Sequence, residues 1–143
     1  MVRFLFMLLF LTASAASAES LKLAPEEALE RAQQGEIAFV DIRLPFEWAE
    51  TGLPEAAEGI SLQDETLQPR QGFIDDLIAL VDGDRSLPIA LICARGNRSA
   101  FAQKLLAANG FTAVLDVTEG MVGGPNGPGW IGRGLPTVPC EAC

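Results

Sequence analysis

Apolar and polar positions along the chain follow two periods, and these place the elements. Leu21-Lys22-Leu23 alternates and predicts a short strand. Pro25-Glu26-Glu27 then starts a helix, because proline suits the first turn and acids suit the positive helix end. Ala28, Leu29 and Ala32 give that helix an apolar side, and Gly35 ends it. The run Ile37 to Val40 predicts a buried strand, and Pro45 to Glu50 a single helical turn. Thr51 to Leu62 reads as a loop anchored by Ile60 and Leu62. Over Gln71 to Val81, the positions of Phe73, Ile74, Leu77, Ile78 and Val81 predict an amphipathic helix with Asp75 and Asp76 outward. Asp82-Gly83-Asp84 breaks it, and Ile89 to Ile92 is the most strand-like run in the chain. A further helix is predicted over Ser99 to Asn109, with Phe101, Leu105 and Leu106 inward and Gly110 as its stop. Thr112 to Val117 gives another strand. Residues 123–129 read GGPNGPG, a surface loop. Strands alternating with helices predict an α/β fold: a central, mostly parallel sheet with helices on both faces.

The N-terminus has a different pattern. Arg3 gives a short basic start, Phe4 to Leu11 is unbroken apolar sequence, and Thr12 to Ala18 is small and weakly polar, ending Ala16-Ser17-Ala18. These are the three regions of a secretory signal peptide, with cleavage expected before Glu19. The apolar run is far short of the roughly 20 residues that span a bilayer, so no stable membrane anchor is expected after cleavage. The expected organisation is a signal peptide over 1–18, one domain over 19–138 and a short tail over 139–143. The expected location is the bacterial periplasm or the extracellular side, where thiols tend to be oxidised.

Composition narrows the chemistry. The chain has 143 residues, 49% of them hydrophobic, which suits one domain with its own core. Its net charge of −9 gives no footprint for nucleic acid. Histidine is absent, which excludes a Ser/His/Asp triad, a Cys/His dyad, an imidazole-bound zinc and a haem; no metal and no cofactor are expected. Tyrosine is absent as well. Three cysteines, the carboxylates and the arginines remain to do chemistry.

Those residues converge after the central strand. Ile92 leads into Cys93-Ala94-Arg95-Gly96-Asn97-Arg98-Ser99, and a helix follows at once. Ligands of open α/β sheets bind at the carboxyl ends of strands, beside the unpaired N–H groups of helix N-termini. A cysteine placed there has its thiolate favoured. Gly96 lets the backbone fold tightly around the sulfur, and Arg95 and Arg98 add positive charge. Arg98 points either toward a bound anion or out to a carboxylate of the fold. Cys93 is thus the candidate nucleophile, and Ala94 to Ser99 are the candidate substrate-binding loop. Asp41 and Arg43 read as structural, Asp41 holding loop N–H groups and Arg43 pairing with Glu47 or another acid. Trp48 and Trp130 read as packing residues, with Trp130 also a candidate to line the pocket.

The run C-A-R-G-N-R-S resembles the active-site loop of the rhodanese-like sulfurtransferases: a cysteine, four residues, an arginine, then Ser or Thr. Phe39 to Arg43 through Glu47-Trp48 is similar to the family's hydrophobic-Asp-Val-Arg … Glu-Tyr segment. Thr51 to Ala56 is similar to its Gly-His-Ile-Pro-Gly-Ala, Val114 to Met121 to its strand and Gly-Gly turn, and Gly134-Leu135-Pro136 to its closing Gly-Leu-Pro. Cys93 to Gly110 aligns without a gap, and the resemblance covers about residues 21 to 138. The chain departs from the pattern at Gly52 (the histidine position), at Glu55, at Glu119 (the first glycine of Gly-Gly) and in an insertion at 123–129.

The resemblance implies a two-step sulfur transfer. A thiolate takes the sulfane sulfur of a small anionic donor such as thiosulfate, forms a persulfide, and passes the sulfur to a thiol, cyanide or a protein acceptor. Related phosphatases carry one more residue between cysteine and arginine, so the shorter loop here favours sulfur over phosphate. Cys140 and Cys143, two residues apart at the end of the chain, form a C-x-x-C pair suited to a local disulfide or to redox exchange with Cys93. The alternative function is therefore a redox-accessory module that carries sulfur or exchanges disulfides with a protein partner.

Overall fold

The computed structural model describes residues 21–141. Residues 1–18, where a signal peptide is expected, and Cys143 lie outside them. The elements are α1 (Pro25–Gln33), β1 (Ala38–Asp41), α2 (Pro45–Thr51), β2 (Leu53–Pro54), β3 (Glu58–Gly59), α3 (Phe73–Leu80), β4 (Ile89–Ile92), α4 (Asn97–Ala108), β5 (Val114–Asp116), α5 (Gly129–Gly132) and β6 (Thr137–Val138).

Four strands form a parallel sheet in the order β3-β1-β4-β5. β1 and β4 are central, which explains why they read as continuous apolar runs: both faces of a parallel sheet are covered. Successive side chains point to opposite faces. Val40, Ile89 and Leu91 face α3 and α4, packing with Phe73, Leu77, Ala102 and Leu106. Phe39, Ala90, Ile92 and Leu115 face the other way, toward Ala28 of α1 and Trp130 of α5. This is the central parallel sheet with helices on both faces that the apolar pattern predicts.

Local chemistry sets the helix ends. α1 has Pro25 in its first turn with Glu26 and Glu27, and Arg31 in its last turn. Within Thr51 to Leu62 the structure adds two short strands. β3 extends the main sheet, and β2 pairs antiparallel with β6. That second ladder fastens the C-terminal segment over the end of α2. Ile60 and Leu62 are buried as expected.

Two expectations change. Phe101 is 51% exposed, and α4 instead buries Ser99, Ala102 and Leu106, with Leu105 only partly covered. The inward stripe lies one position on from Phe101 and begins with the small residues Ser99 and Ala102, which let the start of the helix approach the sheet closely. Trp130 does not line a pocket. It is 0% exposed, packs against Phe39 at a centroid distance of 5.5 Å, and its Nε1–H donates to the Pro136 carbonyl at 2.9 Å. The closing Gly134-Leu135-Pro136 turn thus supplies the acceptor that a buried indole needs.

Trp130 is the largest side chain of the core on its face of the sheet, so its loss leaves a large void. Trp130→Ala is expected to cost about 3–5 kcal/mol of stability, read as a lower urea midpoint with an unchanged slope. An effect below about 1 kcal/mol would mean that this face is not sealed by the indole.

Candidate active site

Cys93 is the first residue beyond β4 and is 1% exposed. Its Sγ accepts the Gly96 N–H at 3.1 Å and lies 3.4 Å from Ser99 Oγ. The Ser99 hydroxyl also donates to the Gly96 carbonyl at 3.2 Å. The chain therefore curls around the sulfur and enters α4 directly, so the unpaired N–H groups of that helix face it.

Two glycines make this possible. Gly96 has φ +93°, and a Cβ there would sit 2.2 Å from the Thr118 carbonyl oxygen. Gly120 has φ +70°, and a Cβ there would meet the Ala94 carbonyl oxygen at 2.4 Å. The Cys93 loop and the Thr118–Met121 turn thus touch backbone to backbone. Met121 N–H donates to Cys93 O at 2.8 Å and Val122 N–H to Ala94 O at 2.9 Å, which fixes their register.

Arg98 does not point at the sulfur's open side. Its Nη1 and Nη2 donate to the two oxygens of Glu47, each at 2.8 Å. Of the two roles open to Arg98, the structure places it on a carboxylate of the fold. Burial opposes the Glu47 charge, but the Arg98 guanidinium and the Leu44 N–H, which donates to Glu47 Oε2 at 2.9 Å, hold its pKa below the usual value. Arg98 is held firmly charged by Glu47.

Beneath Glu47 lies a second ion pair. Arg43, 1% exposed, binds Asp41 through Nε and Nη2 at 2.7–3.0 Å. Its remaining donors reach Thr51 Oγ1, Glu47 O and Gly52 O. Arg43 therefore pairs with Asp41 and not with the Glu47 carboxylate. Burial raises the Asp41 pKa, while Arg43 and its own N–H pull it down. The Trp48 indole, without a hydrogen bond of ordinary geometry, acts on Asp41 in the same downward direction.

Arg95 is exposed, with one long contact of 3.5 Å from Nη1 to the Gly123 carbonyl. Asn97 is exposed and Ala94 half-buried at the loop surface. The loop over 123–128 borders this site. Asn126 Nδ2 donates to Thr118 O at 3.1 Å beside Gly96. Glu119 holds the loop's far end: its oxygens accept from Gly129 N–H, Arg133 Nε and Arg133 Nη2. Arg133 and the Gly129 N–H hold the Glu119 carboxyl below its ordinary pKa. The substitution at 119 and the insertion after it are one device, which inspection of either alone did not reveal.

Cys140 is disulfide-bonded and Cys93 is a free thiol. Among the described residues, no group of His, Cys, Asp and Glu is placed to hold a metal, and no helix is long and apolar enough to cross a membrane.

The family model of the rhodanese-like domain matches residues 24–124. The chain belongs to the rhodanese-like domain family. A curated relative, the uncharacterized protein RP600 of Rickettsia prowazekii, is 26% identical over 98 residues, 68% of this chain and 80% of that protein. Among solved structures, Rv0390 from M. tuberculosis is 26% identical with a TM-score of 0.64, covering 80% of this chain and 94% of its own. The 30 kDa polysulfide-sulfur transferase homodimer from Wolinella succinogenes is 25% identical with a TM-score of 0.61, covering 85% and 80%. The family-model match spans the Cys93 loop and all four strands of the parallel sheet.

The Glu47–Arg98 pair generates a pH prediction for this rhodanese-like domain. A carboxylate with a depressed folded pKa stabilises fully above its unfolded value, near 4.5, and loses that contribution as pH falls through the folded value. Glu47→Gln should therefore lower stability at pH 7 by about 1–2 kcal/mol, the scale of a half-buried charge-assisted pair. Wild type and variant should converge as pH falls well below 4.5, through the depressed folded-state value. A gap that stays constant from pH 7 to pH 3 would show that the carboxylate's charge is not what matters.

Proposed function

We propose that this protein is a periplasmic or secreted sulfurtransferase that moves sulfane sulfur from a small anionic donor such as thiosulfate to a thiophilic acceptor through a Cys93 persulfide. The observation that carries this reading is the Cys93 sulfur seated at a strand-to-helix junction, accepting the Gly96 N–H at 3.1 Å within a rhodanese-like domain. Membership of that family supports sulfur transfer in general, and the polysulfide-sulfur transferase likeness supports the same chemistry. Export rests on the pattern of residues 1–18.

The steps balance without a histidine. The Cys93 thiolate attacks the outer sulfur of thiosulfate; the S–S bond of the donor breaks, and sulfite leaves with its electron pair. Cys93 now carries one extra sulfur. Cyanide or an acceptor thiolate attacks that outer sulfur, and the Cys93 thiolate returns. Both thiolate and persulfide anion are stabilised by loop N–H groups, which are already oriented before reaction. With Arg98 committed to Glu47, Arg95 is the loop cation left to meet an anionic donor. Sulfur carriage to a protein thiol stays within this reading, because a persulfide at Cys93 serves any thiophile.

Incubation with thiosulfate should add about 32 Da to the Cys93 peptide, one sulfur, and Cys93→Ser should abolish both adduct and turnover. An adduct that survives this substitution would falsify the assignment. Arg95→Ala should raise KM for thiosulfate roughly fivefold with kcat little changed, and the effect should shrink at high salt. Unchanged kinetics in both salt conditions would remove Arg95 from donor binding.

A further inference from the structure

A groove of about 770 Å3 runs between the edge of β3 and the outer side of α3, and no residue of the Cys93 loop lines it. β3 is the outermost strand of the parallel sheet, so one side of it pairs with β1 and the other is open. The ladder fixes which backbone groups are open. Asp41 stands opposite Gly59, and its carbonyl accepts the Ile60 N–H at 3.1 Å. The Leu62 N–H donates to the Ile42 carbonyl at 3.1 Å. Residues 58, 60 and 62 therefore turn toward β1, and the alternation turns the Gly59 N–H and C=O and the Ser61 N–H outward.

Further along, the chain closes this edge itself. Gln63 bridges to Pro69, the Arg70 N–H donates to the Leu62 carbonyl at 2.8 Å, and Arg70 Nε donates to the Ser61 carbonyl at 3.0 Å. The open stretch is thus short and has a definite end: a donor and an acceptor on Gly59, then a donor on Ser61.

The groove is acidic. Glu58, Asp64 and Glu65 line it and are exposed. Asp64 keeps its charge, because the Thr66 hydroxyl and the Gln68 N–H hold its carboxyl below the usual range. Arg70 also lines the groove, but its Nη2 is bound to Asp76 at 2.6 Å. At Leu44, Pro45 and Glu65 the groove passes into a smaller cleft of about 290 Å3, lined also by Phe46 and Leu67. Those two side chains are 66% and 59% exposed. The Leu67 turn is braced: its N–H donates to the Asp64 carbonyl at 3.0 Å, and its own carbonyl accepts from Gln63 Nε2 at 2.8 Å.

We propose that this groove is a docking site for an extended, basic segment of a protein partner, which joins the sheet as a strand beside β3. Its backbone pairs with Gly59 and with the Ser61 N–H, which supplies affinity, and its alternate side chains supply specificity. Lysines or arginines meet Glu58, Asp64 and Glu65, and an apolar side chain enters between Phe46 and Leu67. A second copy of this chain does not suit the groove, because it would bring the same carboxylates to the same edge on a molecule of net charge −9. Leu44 follows the end of β1 as Cys93 follows the end of β4, so the bound segment lies at the sulfur's end of the sheet.

The probe is the acetylated and amidated peptide Lys-Val-Lys-Phe-Lys-Val, titrated into the 15N-labelled full chain up to about 1 mM, the weak end of specific binding. The Gly59 and Ser61 amide signals should move together, and affinity should fall about threefold or more when salt is raised. Glu58→Lys with Glu65→Lys should raise Kd roughly tenfold, and Phe46→Ala with Leu67→Gly roughly fivefold. All these positions are exposed, and unchanged circular dichroism checks that the variants fold. Gly59 and Ser61 signals that stay still at the highest peptide concentration would overturn the proposal. Equal affinity for the peptide with methylated backbone nitrogens, or for Glu-Val-Glu-Phe-Glu-Val, would overturn it too. So would shifts confined to the Cys93 loop, or a dimer of the free chain in sedimentation that Glu58→Lys alters. Cys93→Ser should bind the peptide as the wild type does, so docking and sulfur transfer stand or fall separately.

Discussion

The Arg43 guanidinium, buried against Asp41 at the end of β1, is the constraint from which the site is built. Every direction of its donor fork is used: Nε and Nη2 on Asp41, Nη1 on Thr51 and the Glu47 carbonyl, Nη2 also on the Gly52 carbonyl. Burying two charges costs several kcal/mol per ion, and only complete hydrogen bonding offsets it. The net gain in stability is therefore small, and what the pair provides is geometry. It fixes both ends of α2 relative to β1. Glu47, on the first turn of α2, then closes its own helix start through Leu44 N–H and holds Arg98 with the same carboxylate. Arg98 lies on the first turn of α4, two residues after the Gly96 N–H that meets the sulfur. Two ion pairs in series thus tie the ends of β1 and β4 together around Cys93.

On the other side, the sulfur loop is held by backbone and not by charge. Thr118 to Met121 presses against Cys93 to Gly96 so closely that neither Gly96 nor Gly120 has room for a side chain. The Gly-Gly pattern that this turn resembles has its first glycine at 119. Here a glutamate stands there, and its carboxylate points away from the sulfur loop to bind Arg133 and Gly129 N–H. The inserted residues 123–128 are stretched between that anchor and Arg95. A polar residue at 119 and extra length after it are each a disturbance in isolation. Together they make a braced segment beside the Cys93 loop.

Much of this was legible in the sequence, and the failures have common physical causes. The parallel sheet, four of the five helices and the Cys93 junction followed from long apolar runs and from glycine and proline signals. The β2–β6 ladder was not legible, because two-residue strands carry no periodicity and their pairing is decided by where the chain returns. Phe101 misled because size was read as burial, whereas the close packing of α4 selects Ser99 and Ala102. Arg98 was correctly seen as charged loop chemistry, but its partner lies 51 residues away. No local pattern joins Glu47 to Arg98 or Glu119 to Arg133. Pairings of this kind are tertiary facts.

Local pairing also explains how an acidic chain without histidine can host an anionic reaction. Arg43, Arg98 and Arg133 are each bound to carboxylates, so they add structure and little field. What acts on the sulfur is short-range: the Gly96 N–H at 3.1 Å, the start of α4 and the Ser99 hydroxyl at 3.4 Å. Interactions at that distance inside a buried loop are barely screened, whereas the surface charges behind the net −9 are damped beyond about 10 Å at ordinary ionic strength. The sulfur therefore sits in a small positive environment made of oriented dipoles and the nearby Arg98 guanidinium, within a molecule whose far field is negative. Such an arrangement selects anions that reach the loop and does little to gather them from solution. Preorganised dipoles, not electrostatic steering, are then the main contribution of this fold to the chemistry of Cys93.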